Sequence, residues 1–304
     1  IALSESTGGS IASPASFCGV FGLTPTYGLV SRYGLIDYAN SLDKIGPMGK
    51  TIQDASLLLE TISGHDAKDS TSLNEKPKQY NQTKNNKLKI GIIQEAFGQG
   101  NDKEIESQVL NTIAHLEDHG IKTEKISLPN TIKYGLETYY MIATSEASTN
   151  LQRYCGMRYG AEDKPNEKFN EYFTKIRSKN LGDEAKRRII LGTFARMSGY
   201  RDAYYIKAMQ VRTLIINEYK KAFKKFDLLI SPSTPVLPPK IKEAEKLTPL
   251  QNYMMDTLLV GPNLAGLPHL NVPVGMANNL PVGALFIANH LEEEKLIQIG
   301  NYFN

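Results

Sequence analysis

The 304 residues predict an α/β protein, and three observations carry that prediction. Apolar, strand-like runs alternate with stretches whose apolar residues recur at helical spacing. Residues 87–128 read as strand, helix, strand, a βαβ unit of the kind that is usually parallel and right-handed. A chain of this length, 41% apolar and 22% charged, can bury a large core in one big domain or two, and its composition is ordinary for a soluble globular protein.

Taken in order, Ile1 to Leu3 reads as the end of a strand and Ser4 to Ser13 as a loop carrying Ser10. Gly19 to Ser31, with several glycines and Pro25, reads as strand–turn–strand. Thr51 and Asp54 form a capping box for a helix that ends at Gly64, with Ala55, Leu58, Leu59 and Ile62 on one face. Asp66 to Lys87 is polar and reads as a long surface loop. Lys87 to Ile93 is a strand. Asp102 to His119 is an amphipathic helix with Ile105, Val109, Ile113 and Leu116 inward, Gly120 ends it, and Ile121 to Leu128 is the next strand. Thr131 to Tyr154, Asp183 to Arg196 and Tyr200 to Phe226 are helical, the last with a basic cluster at Lys220, Lys221, Lys224 and Lys225 that reads first as a solvated face and second as an RNA contact. Phe226 to Pro232 is a core strand, Leu250 to Leu259 a short helix, and Leu270 to Val274 and Val282 to Ala288 a hairpin through Asn278-Asn279. Glu292 to Phe303 is a C-terminal helix.

Several function classes are disfavoured. No apolar run approaches the roughly 18 residues of a membrane span. The start, Ile1-Ala2-Leu3-Ser4-Glu5, has no signal-peptide pattern and no Met. A net charge of +3 is too small to argue for nucleic-acid binding. Cys18 and Cys155 lie far apart without metal spacing and read as buried reduced thiols of a cytosolic protein. The five histidines make no ligand pair, and neither a Walker loop nor a dinucleotide fingerprint is present, so no cofactor is expected on this chain.

The stretch with chemistry is Thr7-Gly8-Gly9-Ser10. Glycine lets the backbone turn sharply, consecutive amides can form an anion-binding nest, and a hydroxyl beside them has what acyl transfer needs: an attacker and a cradle for the oxyanion. A Gly-x-Ser-x-Gly elbow fails here because position 12 is Ala12, so a Ser-His-Asp hydrolase is not supported.

The residues beyond Ser10 narrow the choice. Phe17-Cys18-Gly19-Val20-Phe21-Gly22-Leu23-Thr24-Pro25, then Ser31-Arg32-Tyr33-Gly34-Leu35 and Ser41-Leu42-Asp43-Lys44-Ile45-Gly46-Pro47, resemble the amidase signature family. Ser145-Glu146-Ala147-Ser148, Gly192-Thr193-Phe194-Ala195 and Asn263-Leu264-Ala265-Gly266-Leu267-Pro268 extend the likeness over essentially the whole chain. Within the family these segments are most similar to the branch that serves as the glutaminase subunit of tRNA-dependent amidotransferases. The resemblance implies one three-layer α/β/α domain around a large mixed β-sheet. That domain would span residues 1–304, be incomplete at its N-terminal side and hold the helical segment of about 131–226 within it.

The resemblance also implies site residues. Ser10 matches the nucleophile that forms an acyl ester, and Thr7, Gly8 and Gly9 match the oxyanion loop. Arg188 matches the group that binds a substrate carboxylate, Asp256 the group that receives its ammonium, and Tyr139 a tyrosine lining the pocket. In this family a neutral lysine draws the proton through a bridging serine, and both precede the nucleophile. The 304 residues begin nine positions before Ser10, so the chain alone is expected to be inactive or severely impaired. Many members carry Asp and Arg where this chain has Ser6 and Ala12, a pair that would brace the nucleophile loop.

The implied reaction is glutamine hydrolysis. Its ammonia would feed conversion of Glu-tRNA(Gln) and/or Asp-tRNA(Asn) on a partner, the B subunit, which would use ATP and Mg²⁺ and hold the aminoacyl-tRNA. A small third partner, the C subunit, would brace the pair in the cytoplasm, away from membranes. A free-standing amidase and a non-catalytic scaffold are the alternatives.

Overall fold

The structure is a computed structural model describing residues 1–76, 78–80, 87–98, 100–162 and 168–303. Part of the polar loop expected over 66–87, Pro77 and residues 81–86, therefore lies outside the described residues.

The strands are β1 (Ala2–Ser6), β2 (Phe21–Thr24), β3 (Lys44–Gly49), β4 (Lys89–Ile93), β5 (Lys122–Ile126), β6 (Leu228–Pro232), β7 (His269–Ala277) and β8 (Leu280–Ala288). The α-helices are α1 (Ala12–Cys18), α2 (Ile52–Ile62), α3 (Lys103–Asp118), α4 (Pro129–Asn150), α5 (Phe169–Asn180), α6 (Asp183–Arg196), α7 (Lys207–Ala222), α8 (Ile241–Ala244), α9 (Pro249–Met254), α10 (Val260–Leu264) and α11 (Glu293–Gly300). They fall into two compact units. One comprises residues 1–34, 42–136 and 211–304, and the other 35–41 and 137–210. The helical stretch expected over 131–226 thus contributes its middle to the second unit and its ends to the first.

The first unit holds an eight-stranded mixed sheet in the order β1-β3-β2-β7-β8-β6-β4-β5. The βαβ reading of 87–128 holds: β4 and β5 pair in parallel, Lys89 opposite Lys122, with α3 between them. Asp102 caps α3 by accepting from the Glu104 amide at 2.8 Å, and Ile105, Val109, Ile113 and Leu116 are on its buried face. Thr51 caps α2 by accepting from the Asp54 amide at 3.2 Å. The β7–β8 hairpin turns at Asn278 and Asn279, whose φ of 51° and 61° are the left-handed pair that a two-residue hairpin turn needs.

Alternation decides which side of the sheet each residue faces. Phe21 and Leu23 of β2, Leu270 and Val272 of β7, and Phe286 of β8 join the apolar core that includes buried residues of α2, α3 and α11. Gly22 faces the other way, where a Cβ would meet that of Ala15 at 2.5 Å, so α1 lies directly on the opposite face. Helices on both faces of the sheet make the expected three layers.

Some expectations fail for local reasons. Of Gly19–Ser31 only Phe21–Thr24 is a strand. Pro25 removes a donor, Leu29 donates to the Thr26 carbonyl at 3.0 Å in a turn, and Val30 keeps a single bridge to Ser63. The helix expected from Tyr200 to Phe226 begins as a π-helical turn over Asp202–Ile206 and ends at Ala222. The helix expected over Leu250–Leu259 is shorter and shifted, Pro249–Met254, started by a Thr248–Gln251 capping box. Cys18 is exposed, not buried, because α1 buries Ala12, Ala15 and Ser16 and turns its last residue outward; Cys155 is half-buried. Lys220, Lys221, Lys224 and Lys225 line the end of α7 and the turn after it, and none of them is buried. Among the described residues no helix is long and apolar enough to cross a membrane.

One charge is placed against the rule that lysine stays in water. Lys44 of β3 is 2% exposed, and its Nζ donates to the Leu267 carbonyl at 2.9 Å. Burial pushes its amine down to about 7, against the opposing pull of Glu293. The folded state therefore holds this proton less tightly than the unfolded chain, and stability rises with pH between about 7 and the ordinary value of 10.5. Lys44→Met removes that dependence. Measured by urea unfolding, its stability relative to the parent should be greatest below pH 7 and fall by roughly a few kcal/mol by pH 10.5.

Candidate acyl-transfer site

β1 runs at the edge of the sheet and delivers the chain into the turn Thr7–Ile11, from which α1 starts. Ser6, Thr7, Gly8, Gly9 and Ile11 are buried and Ser10 is exposed, so the turn lifts one hydroxyl out of a packed base. No hydrogen bond from the amides of Gly8, Gly9 or Ser10 is made within the described residues. Gly9 accepts at its carbonyl from the Ser13 amide at 2.8 Å, joining the turn to α1.

The nest expected from Gly8-Gly9 is not the alternating kind, since no residue of the turn has a left-handed φ. Gly9 is required for room: a Cβ there would collide with Asp256 Oδ1 and come within 2.8 Å of Leu259 Cδ1. The same approach places the Asp256 carboxylate against the Ser10 turn.

Three supports hold the turn. Asn263, 1% exposed on α10, donates from Nδ2 to the Gly8 carbonyl and to the Leu259 carbonyl at 3.1 Å. His269, fully buried on β7, lies 3.5 Å from the same Nδ2 and is bonded through Nδ1 to the Leu267 carbonyl at 3.2 Å. A carbonyl only accepts, so Nδ1 carries the proton; Nε2 faces the Asn263 amide, whose two protons go to the Gly8 and Leu259 carbonyls. Burial, and then the Lys44 ammonium, hold this imidazole well below its ordinary range and keep it neutral. The third support is the Thr7 hydroxyl, 2.7 Å from Asp43 Oδ1 and 2.9 Å from Glu5 Oε1. Ser6 and Ala12, where the Asp–Arg pair of other members would stand, are both fully buried, and the Ser6 hydroxyl has no partner among the described residues.

The second unit carries Tyr139 and Arg188. Segment 35–41 is strapped to α4: Glu146 accepts from the Ser41 amide at 2.9 Å and from its hydroxyl at 2.6 Å, and Asn150 Nδ2 donates to the Tyr38 carbonyl at 3.1 Å. α6 lies close against α4 because Gly192 has no Cβ to strike the Thr144 carbonyl. Between these elements Arg188 donates from Nε to Glu184 at 2.7 Å and from Nη1 to the Tyr38 hydroxyl at 3.0 Å. Its guanidinium stands 5.3 Å from the Tyr38 ring centre and 6.0 Å from that of Tyr140. Burial opposes its charge, but Tyr38 and Glu184 more than offset that and hold it well above its ordinary value. Tyr139 is buried and meets Tyr140 edge-on at 4.9 Å. The structure therefore brings Ser10, its turn and Asp256 together in one unit, and Arg188, Tyr140 and Tyr139 in the other.

Sequence reasoning missed Glu5, Asp43, Asn263 and His269 as supports. Asn263 left a trace: an amide inside the apolar run Leu258-Leu259-Val260-Gly261-Pro262-Asn263-Leu264-Ala265 must find partners once buried. Asn263→Ala leaves the buried Gly8 carbonyl without that donor. It should cost about 1–3 kcal/mol of stability in denaturant unfolding and speed hydrogen exchange in residues 7–10.

The A subunit of glutamyl-tRNA(Gln) amidotransferase from Synechococcus sp. (strain JA-3-3Ab) is 47% identical over 302 residues, which cover 98% of this chain and 58% of that protein. The protein of the same name from Archaeoglobus fulgidus is 48% identical over 302 residues, covering 99% and 64%. The chain thus spans about three-fifths of the length of these relatives. The crystal structure of the Thermotoga maritima protein of that name superposes with a TM-score of 0.79 at 38% identity, covering 98% of this chain and 60% of that one. A 6-aminohexanoate cyclic dimer hydrolase, 20% identical with a TM-score of 0.76 and matched over 98% of this chain and 62% of its own, shares the fold. The Amidase family profile matches residues 1–297, from the edge strand before Ser10 into the last helix, and the chain belongs to that family.

Proposed function

We propose that this chain is the glutaminase part of a tRNA-dependent amidotransferase, releasing ammonia from glutamine for a partner subunit. The observation that carries the reading is the exposed Ser10 hydroxyl on a buried, tethered turn, with unengaged amides beside it and the Asp256 carboxylate against Gly9. The names of the relatives, the A subunit of an amidotransferase in each case, point the same way.

On this reading Ser10 Oγ attacks the side-chain carbonyl of glutamine, and the oxyanion that forms is met by the amides of the turn. Collapse expels ammonia and leaves an acyl ester, which water then clears. The hydroxyl must lose its proton to a base. In this family that is a lysine acting through a serine, both preceding the nucleophile in sequence. Lys44 does not fill that place, because its amine is buried and bonded to the Leu267 carbonyl. The two ends of glutamine need opposite charges, which charge-assisted hydrogen bonds turn into orientation as well as affinity. By the family resemblance Asp256 would take the ammonium and Arg188, kept cationic in its tyrosine setting, the carboxylate. ATP and Mg²⁺ belong to the partner B subunit that activates the aminoacyl-tRNA, and a C subunit completes the assembly.

In the full-length protein Ser10→Ala should abolish ammonia release from glutamine. Retained turnover would refute acyl transfer at this hydroxyl. Arg188→Ala should raise KM for glutamine by about tenfold or more, the loss of one charge-assisted contact, with a smaller change in kcat. A simple aliphatic amide has no carboxylate, so its KM should not respond. If both substrates respond equally, a free-standing amidase is the better reading.

A further inference from the structure

The Thr7 hydroxyl has one proton and stands within hydrogen-bond distance of two carboxyl groups, Asp43 Oδ1 at 2.7 Å and Glu5 Oε1 at 2.9 Å. It can donate to only one of them. Two ionised carboxylates at one hydroxyl would leave the second facing the Thr7 oxygen with no proton between them, beside a like charge. The arrangement closes if one carboxyl keeps its proton and donates it to Thr7 Oγ1, while Thr7 donates onward to the other.

We infer that Glu5 is that acid: as a neutral carboxyl it donates to Thr7, Thr7 donates to Asp43, and this chain of two hydrogen bonds positions the oxyanion turn for acyl transfer. Several observations agree. Glu5 of β1 and Thr7, the first residue past its end, lie on the same side, since alternate residues share a face, and the β1–β3 register sets Glu5 opposite Ile45 and Ser6 opposite Lys44. Continued by one step, that register brings Thr7 to Asp43. Asp43 is 1% exposed, and Arg32 Nη1 stands 3.5 Å from its carbonyl oxygen, which puts a positive charge on the Asp43 side of the pair. Lys44 follows Asp43 in sequence but faces the other side of the strand and is bonded to Leu267, so it does not neutralise Glu5. Burial and the neighbouring Asp43 carboxylate both raise the Glu5 carboxyl above its ordinary value, and the Thr7 hydrogen bond opposes them. Glu5 is a positioning residue. It acts through Thr7 on the turn and touches no substrate.

This inference rests on the acyl-transfer reading of Ser10, and the experiment separates the two. In the full-length protein Ser10→Ala, Glu5→Gln, Glu5→Ala and Thr7→Val are compared with the parent for glutamine hydrolysis from pH 5 to 9. All rates are expressed per folded protein, with the folded fraction read by circular dichroism. Gln presents an N–H where the protonated acid presents an O–H, so Glu5→Gln should keep kcat. The parent should lose activity relative to Glu5→Gln as pH rises and Glu5 ionises. Glu5→Ala should lower kcat by about tenfold, the worth of one positioning hydrogen bond, with KM nearly unchanged and no pH trend of its own. In the Thr7→Val background, changing Glu5 should cost nothing further. A parent-to-Glu5→Gln ratio that is flat with pH, or losses from Glu5→Ala and Thr7→Val that simply multiply, would overturn the inference while leaving the role of Ser10 standing. Turnover by Ser10→Ala would overturn the reading beneath it. Should Glu5→Ala fail to fold, the pH ratio of Glu5→Gln to the parent still decides.

Discussion

A carbonyl pointing into a protein must find a donor there, and for Gly8 that donor is the amide of Asn263. Much of the site's shape follows from that one demand. The turn cannot relax outward without stranding a buried oxygen. Asn263 cannot rotate without giving up Leu259, and His269, with its proton committed to Leu267, meets the amide only in that orientation. With its base held from three directions, the turn can show Ser10 to solvent while Ser6 through Gly9 stay buried. Reactive groups gain from being placed before the reaction starts, and here placement is by backbone contacts within the fold.

The two charged residues proposed to bind glutamine are held in different ways. Asp256 lies in a turn between short helices and is located by the absence of a side chain on Gly9. Arg188 sits on a long helix and is located by aromatic rings and by Glu184 one turn away. A guanidinium in such a setting keeps its charge and loses little freedom when a planar anion arrives. Ordinary surface ion pairs on a helix contribute little, but half-burial and the Tyr38 hydroxyl set this pair apart from the exposed Lys186–Asp183 contact beside it.

Much of the fold was legible because periodicity, caps and glycines speak locally. The βαβ unit, the Thr51 cap and the Asn278-Asn279 turn were each visible in a short window. β3 was not, because its residues are a motif in sequence before they are a strand, and a lysine at its start does not look like a core position. α1 was hidden by Pro14 and by the absence of a capping side chain at Ile11. Of the candidate site, Ser10, Thr7, Gly9, Asp256 and Arg188 are the residues that family likeness proposes. The supporting residues could not, since each depends on a contact across a large sequence separation: Asp43 with Thr7, Asn263 with Gly8, Tyr38 with Arg188.

The order of the strands has a consequence for how the chain is made. β1, β3 and β2 form one block and β6, β4 and β5 another, and among the described residues the sheet joins these blocks through the β7–β8 hairpin, residues 269–288. During synthesis the earlier strands leave the ribosome long before the hairpin that unites them. Both halves must then wait with open edges, the condition under which nascent proteins pair wrongly and recruit chaperones. The closing step also joins strands far apart along the chain, such as Gly22 with Asn271, and pairings of that span are slow.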